Sequence, residues 1–90
     1  MERDKKVVLS LLADIQGLER LHGVDERNLE NSLYGEGGCF DDSDFYHLQL
    51  LVSGGFLAQE LDDVTGISTL RMTWSGHDLL EQLQEEFSKV

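Results

Sequence analysis

The side chains in this sequence that can do chemistry are one cysteine, Cys39, three histidines, His22, His47 and His77, and eighteen acids. His47, His77, Cys39 and nearby carboxylates are the residue types of a metal centre. A metal ion needs its ligands converging, and spacings such as Cys-x-x-Cys or His-x-x-x-His achieve this within a turn of chain. None of these residues has a neighbour at such a spacing. Nucleophilic catalysis needs a Ser or Cys beside an oriented base, and the order of residues argues for no such pairing. The run from Tyr34 to Phe40 contains Gly35, Gly37 and Gly38, the composition of a phosphate loop. It lacks the Lys-Ser/Thr ending and a buried strand before it, so it reads as a flexible turn in which Cys39-Phe40 adds one short strand. The expectation is a protein that is not an enzyme and holds no cofactor and no metal.

What remains is the charge itself. Eighteen acidic against seven basic residues give −11 over 90 residues. Such a surplus favours solubility and a monomer or small oligomer. It opposes a nucleic-acid partner, because phosphate binding draws its strength from Lys and Arg displacing counterions. A lone cysteine excludes an internal disulfide and suits a reducing compartment. No apolar run nears the roughly 18 residues that span a bilayer, and Met1-Glu2-Arg3-Asp4 is not a signal-peptide start. The expected location is the cytoplasm, away from membranes, and residues 1–90 read as one domain.

The elements that must position these groups follow from periodicity. Val8, Leu11, Leu12, Ile15 and Leu18 recur at helical spacing behind Asp4, an N-cap. Arg20 and His22 near the helix end complement its dipole, and Gly23 is the expected stop. Asp25 can cap a second helix that buries Leu29 and Leu33. A third helix starts after Asp42 or Ser43, with Phe45, Leu48, Leu51 and Val52 inward and Asp44, His47, Gln49 and Ser53 outward. Gly54 suits the left-handed position beyond it, and Gly55 the turn into a strand. Phe56 to Leu61 and Ile67 to Trp74 are hairpin arms. Leu70, Met72 and Trp74 alternate as core residues. A last helix opens at Ser75, with Asp78 completing a capping box and Leu79, Leu80, Leu83 and Phe87 as its buried stripe. His77 reads as a structural residue near the hairpin exit and His47 as a surface or boundary one.

Three helices, a hairpin and a closing helix make an α+β chain of winged-helix type, a helix-turn-helix core with a β-hairpin wing and a C-terminal helix. The third helix stands where such domains lay a helix in the DNA major groove. The sequence also resembles a family of short phage and prophage proteins of unknown function. Its members read Met-Lys-Arg-Asp at the start, then Tyr-His-Leu-Lys-Leu-Leu with Ala-Gly-Leu, then Arg-Leu-Thr-Trp-Glu-Gly-His. Here the matching segments are Met1-Glu2-Arg3-Asp4, Tyr46-His47-Leu48-Gln49-Leu50-Leu51 with Gly55-Phe56-Leu57, and Leu70-Arg71-Met72-Thr73-Trp74-Ser75-Gly76-His77-Asp78-Leu79-Leu80. Residues 17 to 40 depart from the family pattern. The resemblance implies a winged-helix-like fold and a mobile-element origin, hence the host cytoplasm. It implies no established activity. Where the family carries Lys and Glu on the third helix, this chain has Gln49, Val52 and Ser53.

Between Arg27 and Arg71 there is no Lys or Arg, whereas Glu30, Glu36, Asp41, Asp42, Asp44, Glu60, Asp62 and Asp63 fall in the same interval. A DNA-binding transcriptional regulator of winged helix-turn-helix type is therefore the second reading. The first is a protein that binds a partner with a basic surface, of which one version is an inhibitor of a host nucleic-acid-binding or defence complex, of anti-CRISPR or DNA-mimic type. Clustered carboxylates steer such association. The expected surface is Asp41, Asp42, Asp44, His47 and Gln49 with Asp62 and Asp63 of the wing, on a monomer or homodimer.

Overall fold

A computed structural model describes residues 2–21 and 23–88; His22, assigned above to the end of the first helix, lies outside the described residues. The elements run α1 (Lys5–Leu18), β1 (Val24–Asp25), α2 (Glu26–Tyr34), α3 (Asp42–Ser53), β2 (Leu57–Leu61), β3 (Ser68–Met72) and α4 (Trp74–Ser88). The strands form one antiparallel sheet in the order β1-β3-β2. The fold is thus α+β, with four helices and three strands among the described residues.

α1 is the central helix. Val8, Leu11, Leu12 and Ile15, three and four residues apart, are all buried and meet Leu29 of α2, Leu48 and Leu51 of α3, Leu80 and Leu83 of α4, and the inner face of the sheet. That face carries Val24, Leu57, Leu70 and Met72, with Val24 opposite Leu70 and Leu57 opposite Met72 in the register. Asp4 caps α1 as expected, accepting from the Lys6 N–H at 2.9 Å, and Asp25 caps α2 through the Arg27 N–H at 2.8 Å. Each such cap contributes about 1 kcal/mol.

Three boundaries differ from the sequence reading. α1 ends at Leu18 rather than running to Gly23, because Glu19 turns extended and its carboxylate accepts from the Met72 N–H of β3 at 2.9 Å. The short third strand is Val24–Asp25 and not Cys39-Phe40, since the Phe40 N–H donates to Glu30 Oε2 at 2.8 Å and its ring is buried beside α3. The left-handed residue after α3 is Gly55, with φ +83°, while Gly54 stays in the right-handed helical region at φ −81°.

The passage from β3 to α4 holds the largest departure. Thr73 Oγ1 donates to the Gly55 carbonyl at 2.6 Å and accepts from the Gly76 N–H at 3.1 Å. Thr73, not Ser75, therefore satisfies an open amide of the first turn of α4, and the helix begins at Trp74. The strand alternation stops at Met72, so Trp74 leaves the face it was expected to share with Leu70 and is 85% exposed. Gly76 is buried where any Cβ would collide with the Phe56 carbonyl, which lets α4 lie directly against the start of the hairpin. Leu80 and Leu83 are buried as expected, Leu79 partly, whereas Phe87 lies at the exposed end of the stripe.

Candidate functional site

The loop from Gly35 to Asp41 delivers the chain into α3, and it is fixed by carboxylates. Asp41 caps α3 rather than Asp42 or Ser43, because its carboxylate reaches the third amide of the helix. Its Oδ1 accepts from the Asp44 N–H at 2.8 Å while Asp44 Oδ2 accepts from the Asp41 N–H at 3.1 Å, a reciprocal capping box. The Tyr34 hydroxyl, at the end of α2, donates to the same Asp44 oxygen. That hydrogen bond, then burial and the charges of Asp44 and Asp41, push the Tyr34 phenol up to about 12. Asp44 is only 5% exposed, so it does not face outward as the helical spacing suggests.

His47, one turn further on, is likewise buried, at 1% exposure. Its Nε2 lies 2.8 Å from the Asp4 backbone nitrogen, whose N–H can only donate, and its Nδ1 lies 2.6 Å from the Ser43 carbonyl, which can only accept. These two contacts place the ring proton on Nδ1 and leave Nε2 as the acceptor. The ring thereby staples the start of α1 to α3. His77, expected to be the structural histidine, is exposed on α4 and only its backbone N–H is engaged, to the Thr73 carbonyl at 3.1 Å.

With Asp44 and His47 turned inward, α3 shows solvent a different stripe: Asp42, Phe45, Gln49 and Ser53 are exposed, with Tyr46 and Val52 half-buried beside it. Phe45 was expected in the core. It is 49% exposed and packs edge-on against Phe40, with ring centroids 5.4 Å apart. Phe45, Leu48, Gln49 and Val52 line one side of a shallow groove of about 270 Å³ that Glu26, Gln59 and Leu70 close on the other. Glu26 and the two glutamines are its polar groups, and no cation lines it.

Asp62 and Asp63 sit in the hairpin turn and are exposed. Asp62 shapes that turn, accepting from the Val64 N–H at 2.9 Å and the Thr65 N–H at 3.3 Å, and these bonds hold its carboxyl below the usual range. No hydrogen bond among the described residues joins the turn to Asp41 or Asp42, so the expected surface divides into two groups at separate elements.

Many other acids also have internal partners. Glu26 accepts from Gln59 Nε2 and Ser68 Oγ, both at 3.1 Å, Asp14 from Ser32 Oγ at 3.3 Å, and Glu86 pairs with Lys5 Nζ at 3.1 Å. Asp42, Glu60, Asp63, Asp78, Glu81 and Glu85 are exposed and, among the described residues, their carboxylates accept no hydrogen bond. Lys5–Glu86 is the one ion pair among the described residues. Among the same residues, no three His, Cys, Asp or Glu side chains come together as metal ligands would, and no helix is long and apolar enough to cross a membrane. Cys39 is exposed and unpaired. Comparison with protein-family models, with curated proteins and with solved structures finds no match.

Proposed function

We propose that this chain is a winged helix that acts by binding a protein with a basic surface. The order α1-β1-α2-α3-β2-β3-α4 and the sheet order β1-β3-β2 support the fold reading: α3 occupies the place of a recognition helix and β2–β3 that of a wing. The functional reading rests on one observation, the chemistry of the α3 face. Asp42, Phe45, Gln49 and Ser53 form its exposed stripe, and neither the stripe nor the groove beside it carries a cation. A protein that grips DNA loses most of its affinity without Lys and Arg on its phosphate contacts. The amide end of α3, which can hold a phosphate in other helices, is already filled by Asp41 and Asp44. An exposed aromatic ring beside amides and carboxylates instead suits a protein partner.

The resemblance to short phage proteins and the net charge of −11 extend the proposal to an inhibitor that covers the nucleic-acid site of a host protein, as a DNA mimic does. Fluorescence anisotropy with labelled duplex DNA at about 50 mM and 200 mM salt tests the first part. The expected result is no saturable binding at either concentration. Tight binding that collapses between them, abolished by Phe45→Ala, would replace the proposal with DNA recognition through α3. For the inhibitor version, the chain should displace duplex from a basic nucleic-acid-binding protein of its host, and Phe45→Ala should lose that ability.

A further inference from the structure

Within the stretch Thr73-Trp74-Ser75-Gly76-His77, the fold accounts for Thr73 and Gly76 and leaves Trp74, Ser75 and His77 exposed. Thr73 caps α4 and ties it to Gly55; Gly76 permits the close approach to Phe56. Trp74 and His77, one turn apart, are exposed and have no side-chain hydrogen bond among the described residues. Trp74 is the single tryptophan of the chain and stands 85% exposed on the first turn of a 15-residue helix. An indole so placed contributes nothing to the core and costs solubility.

The helix continues from it in one direction of charge. Asp78, Glu81 and Glu85 follow Trp74 at four, seven and eleven residues, which places all four on a single stripe opposite the buried Gly76, Leu80 and Leu83. All three carboxylates are exposed and unpartnered among the described residues, unlike those of Asp4, Glu19, Glu26, Glu30 or Asp41, which hold backbone or side-chain donors. The stripe is about 16 Å long at the rise of an α-helix.

We infer that this outer face of α4 docks an arginine-bearing basic segment of a partner protein, with Trp74 taking a guanidinium on its ring face and Asp78, Glu81 and Glu85 pairing the cations that follow. Charge complementarity selects the sign of the partner. Trp74 selects arginine over lysine, because a planar, weakly hydrated guanidinium stacks on an indole better than a hydrated ammonium does. This inference shares with the proposed function only the sign of the partner; it concerns α4, not α3.

The lone tryptophan makes the test direct, since all indole emission reports on this site. The full chain is titrated at low salt with nona-arginine and with nona-lysine, following Trp74 emission and, separately, heat by calorimetry. Nona-arginine should shift the emission and bind more tightly than nona-lysine of equal charge. Trp74→Ala should weaken nona-arginine binding about tenfold, and Asp78→Asn with Glu81→Gln should weaken both peptides. Glu36→Gln, a carboxylate exposed on the loop between α2 and α3, should leave both unchanged, and far-UV circular dichroism should show every variant folded. Unchanged emission on saturation, equal affinity for the two peptides, or an equal loss in Glu36→Gln would overturn the inference. Any of these with the α3 proposal's DNA test still negative would leave protein binding through α3 standing.

Discussion

The two histidines that flank the hairpin region offer a sharp quantitative test, because His47 is buried with both ring nitrogens engaged and His77 is exposed with neither. In His47→Ala the Asp4 N–H loses its acceptor and the imidazole leaves a void between α1 and α3. An orphaned polar group costs about 1–3 kcal/mol, and the low end applies because Asp4 lies at the surface where water can reach it. The void adds a term of similar size. Together they predict a loss of about 2 kcal/mol, or about 8–16 °C in Tm for a domain of this size. His77→Ala removes no contact and should stay within about 0.5 kcal/mol of wild type. Urea denaturation at neutral pH measures both, provided the m-values agree. A second readout is independent of stability: imidazole nitrogen NMR should show the His47 ring locked with its proton on Nδ1, and that signal should vanish in His47→Ala. Equal midpoints for the two variants, or a His47 ring protonated on Nε2, would refute the staple between α1 and α3.

Three further outcomes follow from the geometry. Tyr34 has its phenol raised to about 12 by the bond to Asp44, so its folded value exceeds the ordinary 10; the stabilisation is complete below about pH 10 and is lost as pH rises toward 12. Stability curves of wild type and Tyr34→Phe should therefore converge over that range, and a gap that persists at pH 12 would contradict the assignment. Gly76→Ala must push a Cβ into the Phe56 carbonyl and should lower Tm by more than about 5 °C, whereas Gly37→Ala, in open space though at φ +82°, should cost less. Asp62 has its carboxyl lowered by the Val64 and Thr65 amides, so its contribution is present above about pH 4 and fades as pH falls through the folded value. Asp62→Asn should accelerate hydrogen exchange at those two amides and lower the urea midpoint slightly at pH 7, a difference that shrinks as pH falls below about 4.

How much of this was legible in the sequence depends on whether partners lie near in the chain. Asp4 and Asp25 as caps, the inward Val8, Leu11, Leu12 and Ile15, and the Leu80 and Leu83 stripe all rest on spacings within a few residues, and the structure has them so. The hairpin and its two arms were also legible from local pattern. The misplacements of Asp44 and His47 involve distant partners. Asp44 and His47 look like surface residues until Tyr34, ten positions earlier, and Asp4, forty-three positions earlier, are seen to reach them. With polar side chains holding the inward positions, Phe45 rotates to the rim of the helix, which no hydrophobic pattern could announce. Trp74 was misread for a more local reason: strand alternation was carried past the Thr73 turn. Thr73, itself a favoured N-cap residue, stands two positions before Ser75 and takes the role that the sequence assigns to Ser75.

The division of the acids between internal and outward partners changes what a neutralisation experiment can mean. Replacing Asp41, Asp42 and Asp44 together would remove two exposed charges and dismantle the capping box and the Tyr34 contact at the same time. Any lost binding would then be inseparable from a frayed α3, since a cap alone contributes about 1 kcal/mol and a charged hydrogen bond about 1.5–3. Asp42, Asp63, Asp78, Glu81 and Glu85 carry no such structural duty among the described residues. Substituting them with their amides changes the field that a partner meets and little of the fold beneath. Three acids of this kind, Asp78, Glu81 and Glu85, share the outer stripe of α4 behind Trp74, whereas the α3 face keeps only Asp42. Charge-driven association should accordingly respond more to α4 variants, and contact-driven association more to Phe45 and Gln49. Salt separates the two: affinity that depends on α4 should fall steeply as the Debye length shrinks from about 10 Å at 0.1 M toward 3 Å at 1 M, and affinity that depends on Phe45 should persist.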